Sequence, residues 1–291
     1  MNSINVGIDL GGTKVSVGLV RNYRIINEPE RFFISTYESA DGIIGGMKSA
    51  IEKLLMSNSL VWDDVNKIGI GSPGPLDSIT GVVLETPNLK IMRGYPIVKK
   101  FEEIVGIQPL LENDANCFTL GEQRAGVAKG MENVLGVTLG TGFGLGCVLN
   151  GRILRGATGT AMEFANSPYR GGVFEDYISG RGLAKIYLEL TGMKIAPIEV
   201  SKRAKSGDVS ALKVWEEFGI HLSNALIYLV NTLDPNMIVI GGSISEGFPF
   251  FYDPLNNNLL KGINQRPREN IKVVQSKLGE MAAIIGASSL E

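Results

Sequence analysis

The residues best suited to chemistry stand together near the start of the chain. Asp9 comes just before a glycine-rich turn that consists of Gly11, Gly12, Thr13 and Lys14. Without β-carbons, the two glycines let backbone N–H groups approach an anion, while Thr13 adds a hydroxyl donor. Lys14 adds a positive charge, and a carboxylate at Asp9 can hold the water shell of Mg²⁺. The stretch predicts a phosphate-binding turn, although an isolated pattern of this kind fits an ordinary hairpin equally well.

A second stretch of the same kind lies far along the chain. Residues 133–150 again combine two strand-like apolar segments with a glycine–threonine turn, Gly140, Thr141 and Gly142. Two such turns could clamp a chain of phosphates from both sides. Because chance rarely produces two matching hairpins of this type in one chain, the duplication favours a nucleotide-binding protein.

A run of polar residues follows the strand predicted at 108–111. It comprises Glu112, Asn113, Asp114 and Asn116, and it opens a helix predicted from Asp114 to about residue 129. Asn and Asp cap helix starts, which accounts for one of them. Four polar residues are more than one cap requires, and a carboxylate flanked by amides suits a substrate whose hydroxyl must be deprotonated.

Two further strand ends carry small residues. The strand that begins at Lys67 runs into the loop 72–75, which contains Gly74 and is either a pocket wall or a simple turn. Within residues 237–244, the sequence predicts a buried strand that ends in the glycine pair Gly241 and Gly242. Such a pair can lie against a flat ring such as adenine.

The elements that must position these residues alternate between strand and helix. Apolar periodicity predicts helices at 41–58, 97–105, 183–190 and 208–233, a further strand at 271–274 and a closing helix at 279–290. This order indicates an α/β fold. A length of 291 residues favours two lobes. We place the boundary so that 1–112 form an N-terminal lobe, on which the closing helix (279–291) packs, and 113–278 form a C-terminal lobe.

Composition narrows the class of protein. A hydrophobic share of 44% without an apolar run long enough for a bilayer argues against a membrane protein. A net charge of -2 without a basic cluster argues against nucleic-acid partners. The first residues lead directly into a strand without room for a signal peptide, so we expect a cytoplasmic protein. Cys117 and Cys147 are expected as reduced core residues, and His221 as a packing residue rather than a metal ligand.

In this order, the motifs resemble those of sugar kinases of the repressor, open reading frame and kinase (ROK) family. The similarity covers nearly the whole chain. Residues 9–14 resemble the first phosphate motif of the family, 139–144 the second, 241–243 the adenosine motif, and 112–116 the segment with the catalytic aspartate. The resemblance implies a two-lobed actin/hexokinase-like (ribonuclease H-like) ATPase fold.

The resemblance also implies roles for individual residues. Asp114 would take the proton from the 6-hydroxyl of a sugar as its oxygen attacks the γ-phosphate of ATP, and Asp9 would act through Mg²⁺ and its waters. Asn113 would hold a ring hydroxyl. Hydroxyls at C1 and C2 would bind Glu163 and Glu175, and the other side of the sugar would be lined by Asn88 and Gly74.

One departure from the family pattern bears on the substrate. The family usually has a histidine and a cysteine-rich zinc loop between its two glutamates, whereas this chain has Asn166 in place of the histidine and no cysteine there. We therefore expect no zinc. Asn166 could donate to a sugar hydroxyl, and Tyr169 could fill part of the vacated space. Family members without the zinc loop resemble bacterial N-acetylmannosamine kinases of sialic acid breakdown, which favours that sugar; glucose, N-acetylglucosamine and allose stay open.

Two other classes of protein fit the sequence less well. Sugar-sensing repressors of the family carry a winged-helix segment before the first motif, and only eight residues precede Asp9 here. An ATPase acting on protein partners would not need Glu163 and Glu175 beside an Asn–Asp pair. The resemblance implies a homodimer.

Overall fold

The computed structural model describes residues 3–86 and 89–291. Numbered in chain order, the strands are β1 (Ile4–Leu10), β2 (Lys14–Arg21), β3 (Arg24–Ile25), β4 (Glu30–Phe33), β5 (Val65–Ser72), β6 (Leu76–Asp77), β7 (Val82–Val83), β8 (Leu110–Asn113), β9 (Val134–Leu139), β10 (Phe143–Leu149), β11 (Arg152–Ile153), β12 (Pro168–Tyr169), β13 (Gly172–Val173), β14 (Met237–Gly241) and β15 (Lys272–Gln275). The helices are α1 (Ala40–Ser57), α2 (Ile97–Val105), α3 (Asp114–Ala125), α4 (Gly180–Thr191), α5 (Pro197–Lys205), α6 (Val209–Leu233), α7 (Phe248–Gly262), α8 (Gln265–Asn270) and α9 (Met281–Ser288).

The described residues divide into two compact units. The first comprises those within Met1–Glu132, Gly146–Met162 and Lys277–Glu291, and the second those within Asn133–Leu145 and Glu163–Ser276. The division falls inside β10. The lobe boundary between residues 112 and 113 stays a prediction.

The sheet of the first unit brings three strand ends together. Its order is β3-β2-β1-β5-β8, with β4 beside β2; β1 and β2 are antiparallel, and β1, β5 and β8 run parallel. Gly71 is the register partner of both Asp9 and Glu112. Because neighbouring strands lie about 4.8 Å apart, the backbones at Asp9 and Glu112 are about 10 Å apart, at the carboxyl ends of their strands.

Helix α9 packs closely on this sheet, where glycines permit it. A β-carbon added at Gly7 would lie 1.9 Å from the carbonyl oxygen of Ile284, and one added at Gly69 would lie 1.8 Å from that of Ala287. No side chain larger than hydrogen fits these positions unless α9 moves. The predicted closing helix is therefore confirmed, with its backbone directly against β1 and β5.

Helix α1 shows how the periodic pattern produces the core of the first unit. Its apolar stripe is fully buried at Ile43, Ile44, Met47 and Ile51, on the side that faces the sheet. Ser39 caps the helix, with its Oγ accepting the N–H of Gly42 at 3.1 Å. Burial on one face and a cap at the start explain why this helix agrees with the prediction.

The second sheet has the order β11-β10-β9-β14-β15, and β14 is parallel to both β9 and β15. The second glycine-rich hairpin is thus confirmed, with β9 and β10 on either side of the turn. Both cysteines are buried free thiols, as expected from the sequence. None of the helices in the described ranges combines the length and hydrophobicity that a bilayer crossing requires.

Several element boundaries differ from the sequence prediction. Helix α3 ends at Ala125 rather than near 129, because the Glu122 carboxylate accepts the N–H of Val127 at 2.9 Å and the chain turns at Gly126. Strand β14 ends at Gly241, within the glycine pair predicted to end it, since Gly242 has a φ of 85° that breaks the extended backbone. Helices α5, α7 and α8 were not predicted.

Candidate active site

The first glycine-rich turn has the predicted hairpin form. The N–H of Gly11 donates to the carbonyl of Lys14 at 3.0 Å, and Gly12 and Thr13 are exposed at the tip. The Lys14 ammonium donates a hydrogen bond to the Glu280 carboxylate, which the sequence analysis did not single out. The turn therefore presents backbone donors to solvent, while its lysine is held beside the start of α9.

Asp9 and Asp114 are half-buried carboxylates of the same unit, close enough for the charge of one to act on the other. Burial and, second, the negative charge of Asp114 raise the pKa of Asp9 to about 7, against the opposing charge of Lys14. Burial also raises the pKa of Asp114, although the N–H of Ala115, 2.8 Å from its Oδ1, acts in the opposite direction. A raised pKa makes an ionised aspartate a stronger proton acceptor.

Asn113 is the residue that caps helix α3. Its Oδ1 accepts the N–H groups of Ala115 at 2.9 Å and Asn116 at 3.3 Å. The cap fixes the first turn of the helix, where Asp114 is the first residue. Since Oδ1 serves the cap, a contact from Asn113 to a ligand would come from its Nδ2 amide.

Glu112 is almost completely buried, with 1% exposure, and its carboxylate is the centre of a hydrogen-bond network. Its Oε1 accepts the backbone N–H of Asn113 at 2.9 Å and the Nδ2 amide of Asn116 at 3.0 Å. Its Oε2 lies 2.6 Å from Nε of Arg155. The Oδ1 atom of Asn116 accepts the N–H of Cys147 at 3.2 Å. This network ties β8 and the start of α3 to β10 and Arg155.

The second glycine-rich turn lies beside a helix N-terminus. The N–H of Gly140 donates to the carbonyl of Gly142 at 3.0 Å, and the N–H of Gly180, the first residue of α4, donates to the carbonyl of Gly140 at 2.9 Å. The positive end of the α4 dipole is therefore directed at the turn, a favourable arrangement for a phosphate. Thr141 is exposed at the tip.

The glycine pair after β14 lies against the same turn. Gly241 is the register partner of Thr138, and a β-carbon at Gly242 would lie 2.3 Å from the carbonyl oxygen of Leu139. Gly242 is exposed on its other side. The structure thus brings together the predicted phosphate turn and the predicted adenine-binding glycines within the second unit.

Glu175 is also brought to this turn. Its Oε2 accepts the N–H of Phe143 at 3.1 Å, and its Oε1 pairs with the guanidinium of Arg181. A β-carbon at Gly142 would lie 2.6 Å from Oε2, so the carboxylate fills the space above that glycine. Glu163 is exposed and directly precedes the short 3-10 helix Phe164–Asn166, in which Asn166 is exposed as well.

The remaining predicted residues are placed as follows. Gly74 follows β5 and forms a cis peptide bond with Pro75. Asn88 lies outside the described residues. Within residues 3–86 and 89–291, no cluster of three or more His, Cys, Asp or Glu side chains is arranged to hold a metal ion.

Sequence reasoning missed Arg155, Glu280 and the hydrogen-bonding role of His221. Each contacts its partner across a long sequence separation, which local patterns do not report. The buried histidine alone carried a signal: a polar residue on the apolar stripe of α6 requires a hydrogen-bond partner. That partner is Tyr169, whose hydroxyl lies 2.9 Å from Nδ1 of His221.

The two phosphate-type turns, the strand-end carboxylates and the α/β sheets define a protein of the actin/hexokinase-like ATPase fold. The model of the ROK family matches residues 5–291. The chain belongs to the ROK family.

Relatives and solved structures agree with this assignment. An N-acetyl-D-glucosamine kinase of Photobacterium profundum is 29% identical, over 98% of this chain and 98% of its own length. A ROK family glucokinase from Streptomyces griseus, solved in complex with glucose and AMPPNP, is 29% identical with a TM-score of 0.80 and covers 99% of this chain and 98% of its own. A Listeria monocytogenes protein, described as a proposed N-acetylmannosamine kinase, is 25% identical with a TM-score of 0.78, over 98% and 97% of the two chains.

Proposed function

We propose that this protein is an ATP-dependent sugar kinase that phosphorylates the 6-hydroxyl of N-acetylmannosamine. The observation that carries the proposal is that Asp9, near the end of β1, and Asp114, directly after β8, lie two strands apart at one edge of the sheet, with Asp9 just before a glycine-rich turn, in a chain of the ROK family. The Asp9 carboxylate suits a cation that neutralises phosphate, and the Asp114 carboxylate suits a hydroxyl. A sugar kinase needs both.

Asp114 is the proposed base. It accepts the proton of the 6-hydroxyl while that oxygen forms a bond to the γ-phosphorus of ATP and the bond to the β,γ-bridging oxygen breaks. Burial raises the pKa of Asp114, which improves it as a proton acceptor relative to an ordinary aspartate. The cap at Asn113 and the network at Glu112 hold the backbone of Asp114 in place.

The nucleotide is assigned to the glycine-rich segments. Phosphate is assigned to Gly11, Gly12, Thr13 and Lys14 and to Gly140, Thr141 and Gly142, and adenine to Gly241 and Gly242. A hard cation fits at Asp9, because a buried carboxylate whose pKa is raised by a neighbouring carboxylate gains from a positive charge there. Mg²⁺ held by Asp9 through water would neutralise charge on the phosphates.

The sugar is assigned to Asn113, Glu163 and Glu175, with Asn166 as a donor and with Asn88 and Gly74 along the other side. Glutamate oxygens accept hydrogen bonds from hydroxyls, so two glutamates can orient C1 and C2 relative to the 6-hydroxyl. In the described structure Glu175 accepts the N–H of Phe143, and a sugar hydroxyl would add to or replace that bond.

One observation supports N-acetylmannosamine over other hexoses, and a second is consistent with it. The 163–175 segment contains no cysteine and has Asn166 where the family usually has histidine. The solved Listeria monocytogenes protein with that proposed activity is a structural neighbour. Glucose and N-acetylglucosamine are the competing substrates, since relatives with these activities in their names are 29% identical to this chain. Allose is the fourth candidate.

The test measures ADP release with MgATP and each of N-acetylmannosamine, N-acetylglucosamine, glucose and allose. We expect kcat/KM for N-acetylmannosamine to exceed the others by about tenfold or more, because one added or missing group in a pocket changes it by that order. A higher value for glucose, N-acetylglucosamine or allose would overturn the choice of substrate and leave the kinase mechanism. Absence of turnover with every sugar, while nucleotide still binds, would overturn the kinase and favour a non-catalytic sugar sensor. A homodimer and a cytoplasmic location stay predictions.

A further inference from the structure

The segment between the two proposed sugar-binding glutamates folds back on itself. Short 3-10 helices at Phe164–Asn166 and Phe174–Asp176 enclose the β12–β13 hairpin. The N–H of Phe174 donates to the carbonyl of Ser167 at 3.1 Å, which ties the two 3-10 helices together. We call residues 163–175 the sugar loop.

Three aromatic rings form the interior of the sugar loop. Phe174, with 3% exposure, stacks on Tyr169 at a centroid distance of 4.3 Å and an interplanar angle of 13°. Phe174 also stacks on Phe164, at a centroid distance of 5.0 Å and an interplanar angle of 29°. Glu163 directly precedes Phe164, and Glu175 directly follows Phe174. The spacing of the two glutamates therefore depends on this aromatic stack.

The hydroxyl of Tyr169 fastens the stack to helix α6. It lies 2.9 Å from Nδ1 of His221 and 2.9 Å from Nδ2 of Asn224. The amide of Asn224 donates through Nδ2, so the tyrosine hydroxyl accepts from it and can direct its own proton at Nδ1 of His221. In that arrangement Nδ1 is the acceptor, and the neutral imidazole carries its proton on Nε2. The Oδ1 atom of Asn224 accepts from Nδ2 of Asn258 at 3.1 Å, which extends the network to α7.

The surroundings of His221 keep it in this form. It is 5% exposed, and burial, followed by the positive charges of Arg170 and Lys185, lowers its pKa to about 4. The ring of Tyr177 lies 4.8 Å from the imidazole ring. At neutral pH, His221 is consequently neutral, so its Nδ1 is able to accept the Tyr169 hydroxyl.

We propose that Tyr169 and His221 are positioning residues for the sugar: their hydrogen bond fixes the aromatic stack to α6 and thereby sets the spacing of Glu163 and Glu175. This inference rests on the proposed function, which assigns the sugar to those glutamates. The nucleotide segments are not part of the stack, although Glu175 also accepts the N–H of Phe143 beside the second glycine-rich turn. Loss of the bond should therefore change the affinity for sugar more than the affinity for ATP.

The test compares Tyr169→Phe with Tyr228→Phe. The first keeps the stacked ring and removes only the hydroxyl, and the second removes the hydroxyl of a tyrosine on α6 that is 63% exposed. For Tyr169→Phe we expect the KM of N-acetylmannosamine to rise about tenfold, as for loss of a positioning contact, with the KM of ATP within twofold of wild type. Tyr228→Phe should match wild type in both.

A second pair of variants and one spectrum complete the test. His221→Asn keeps an acceptor near the position of Nδ1 and should retain sugar affinity within about threefold, whereas His221→Leu should behave like Tyr169→Phe. Because His221 is the only histidine of the chain, its ¹⁵N signals are unambiguous. In wild type we expect the Nε2–H tautomer to be fully populated. In Tyr169→Phe we expect its population to decrease.

The outcomes separate this inference from the proposed function. A wild-type enzyme that turns over none of the four sugars contradicts the proposed function and this inference with it. An active wild type whose sugar KM is unchanged in Tyr169→Phe contradicts this inference alone. Equal increases in the KM of sugar and of ATP also contradict it, since they indicate a general loss of structure.

Discussion

Replacement of Arg155 by methionine tests whether the buried network behind Asp114 holds that part of the fold together. The substitution keeps the aliphatic stem and removes the guanidinium that lies 2.6 Å from Oε2 of Glu112. Glu112 is 1% exposed, so its carboxylate would lose its charged partner where water has little access. Loss of one partner of a buried pair costs about 3–5 kcal/mol. Because the Arg155 side chain is 41% exposed, we expect the lower figure of about 2–3 kcal/mol.

A double-mutant cycle with Glu112→Gln separates this charge effect from lost packing. Once Glu112 is neutral, removal of Arg155 no longer leaves a buried charge, so we expect a coupling free energy of about 1.5–2 kcal/mol. The assay is urea unfolding followed by circular dichroism, with Arg152→Met as the matched control because Arg152 is exposed on β11. A cost below about 0.5 kcal/mol for Arg155→Met, or additive single and double variants, would refute the reasoning.

Three further predictions concern other residues. His221 binds a proton more readily unfolded, at a pKa near 6.5, than folded, at about 4, so the free energy of unfolding should decrease as pH falls from 6.5 to 4. The full shift corresponds to about 3 kcal/mol, and a pH series of urea midpoints that is the same in His221→Asn would contradict this expectation. In Glu280→Gln, the negative charge beside Lys14 is lost, so the KM of ATP should fall about threefold. The free energy of unfolding should stay within about 0.5 kcal/mol of wild type, because the pair is exposed. Initial rates check the first expectation and thermal melts the second. Gly142→Ala should lower kcat/KM for ATP about tenfold, because its β-carbon would lie 2.6 Å from the Glu175 carboxylate, and unchanged kinetics would refute that contact.

The parts of the fold that follow local rules were predictable from sequence. Period-two alternation identified both glycine-rich hairpins, and helical spacing identified α1 and α6. The capping preference of asparagine placed the start of α3 at Asp114. Helix α7 escaped because Pro254 lies inside it, and proline normally argues against a helix interior.

The partners of the site residues were not predictable, for a physical reason. The bond between Lys14 and Glu280 spans 266 positions of sequence and that between Tyr169 and His221 spans 52, so neither leaves a local period. For Glu112, the sequence indicated only a place in a polar run at the end of a strand. Its burial beside Arg155 depends on how β8 pairs in the sheet, which is tertiary information.

The most direct test of the central claim follows the reaction of MgATP with N-acetylmannosamine by ³¹P NMR, with wild-type protein and with Asp114→Asn. We predict that wild type forms a single sugar 6-phosphate, and that Asp114→Asn binds AMPPNP normally but reacts about 10²–10⁴ times more slowly, the range expected for loss of a general base. Turnover by Asp114→Asn within tenfold of wild type would contradict the assignment of Asp114 as the base.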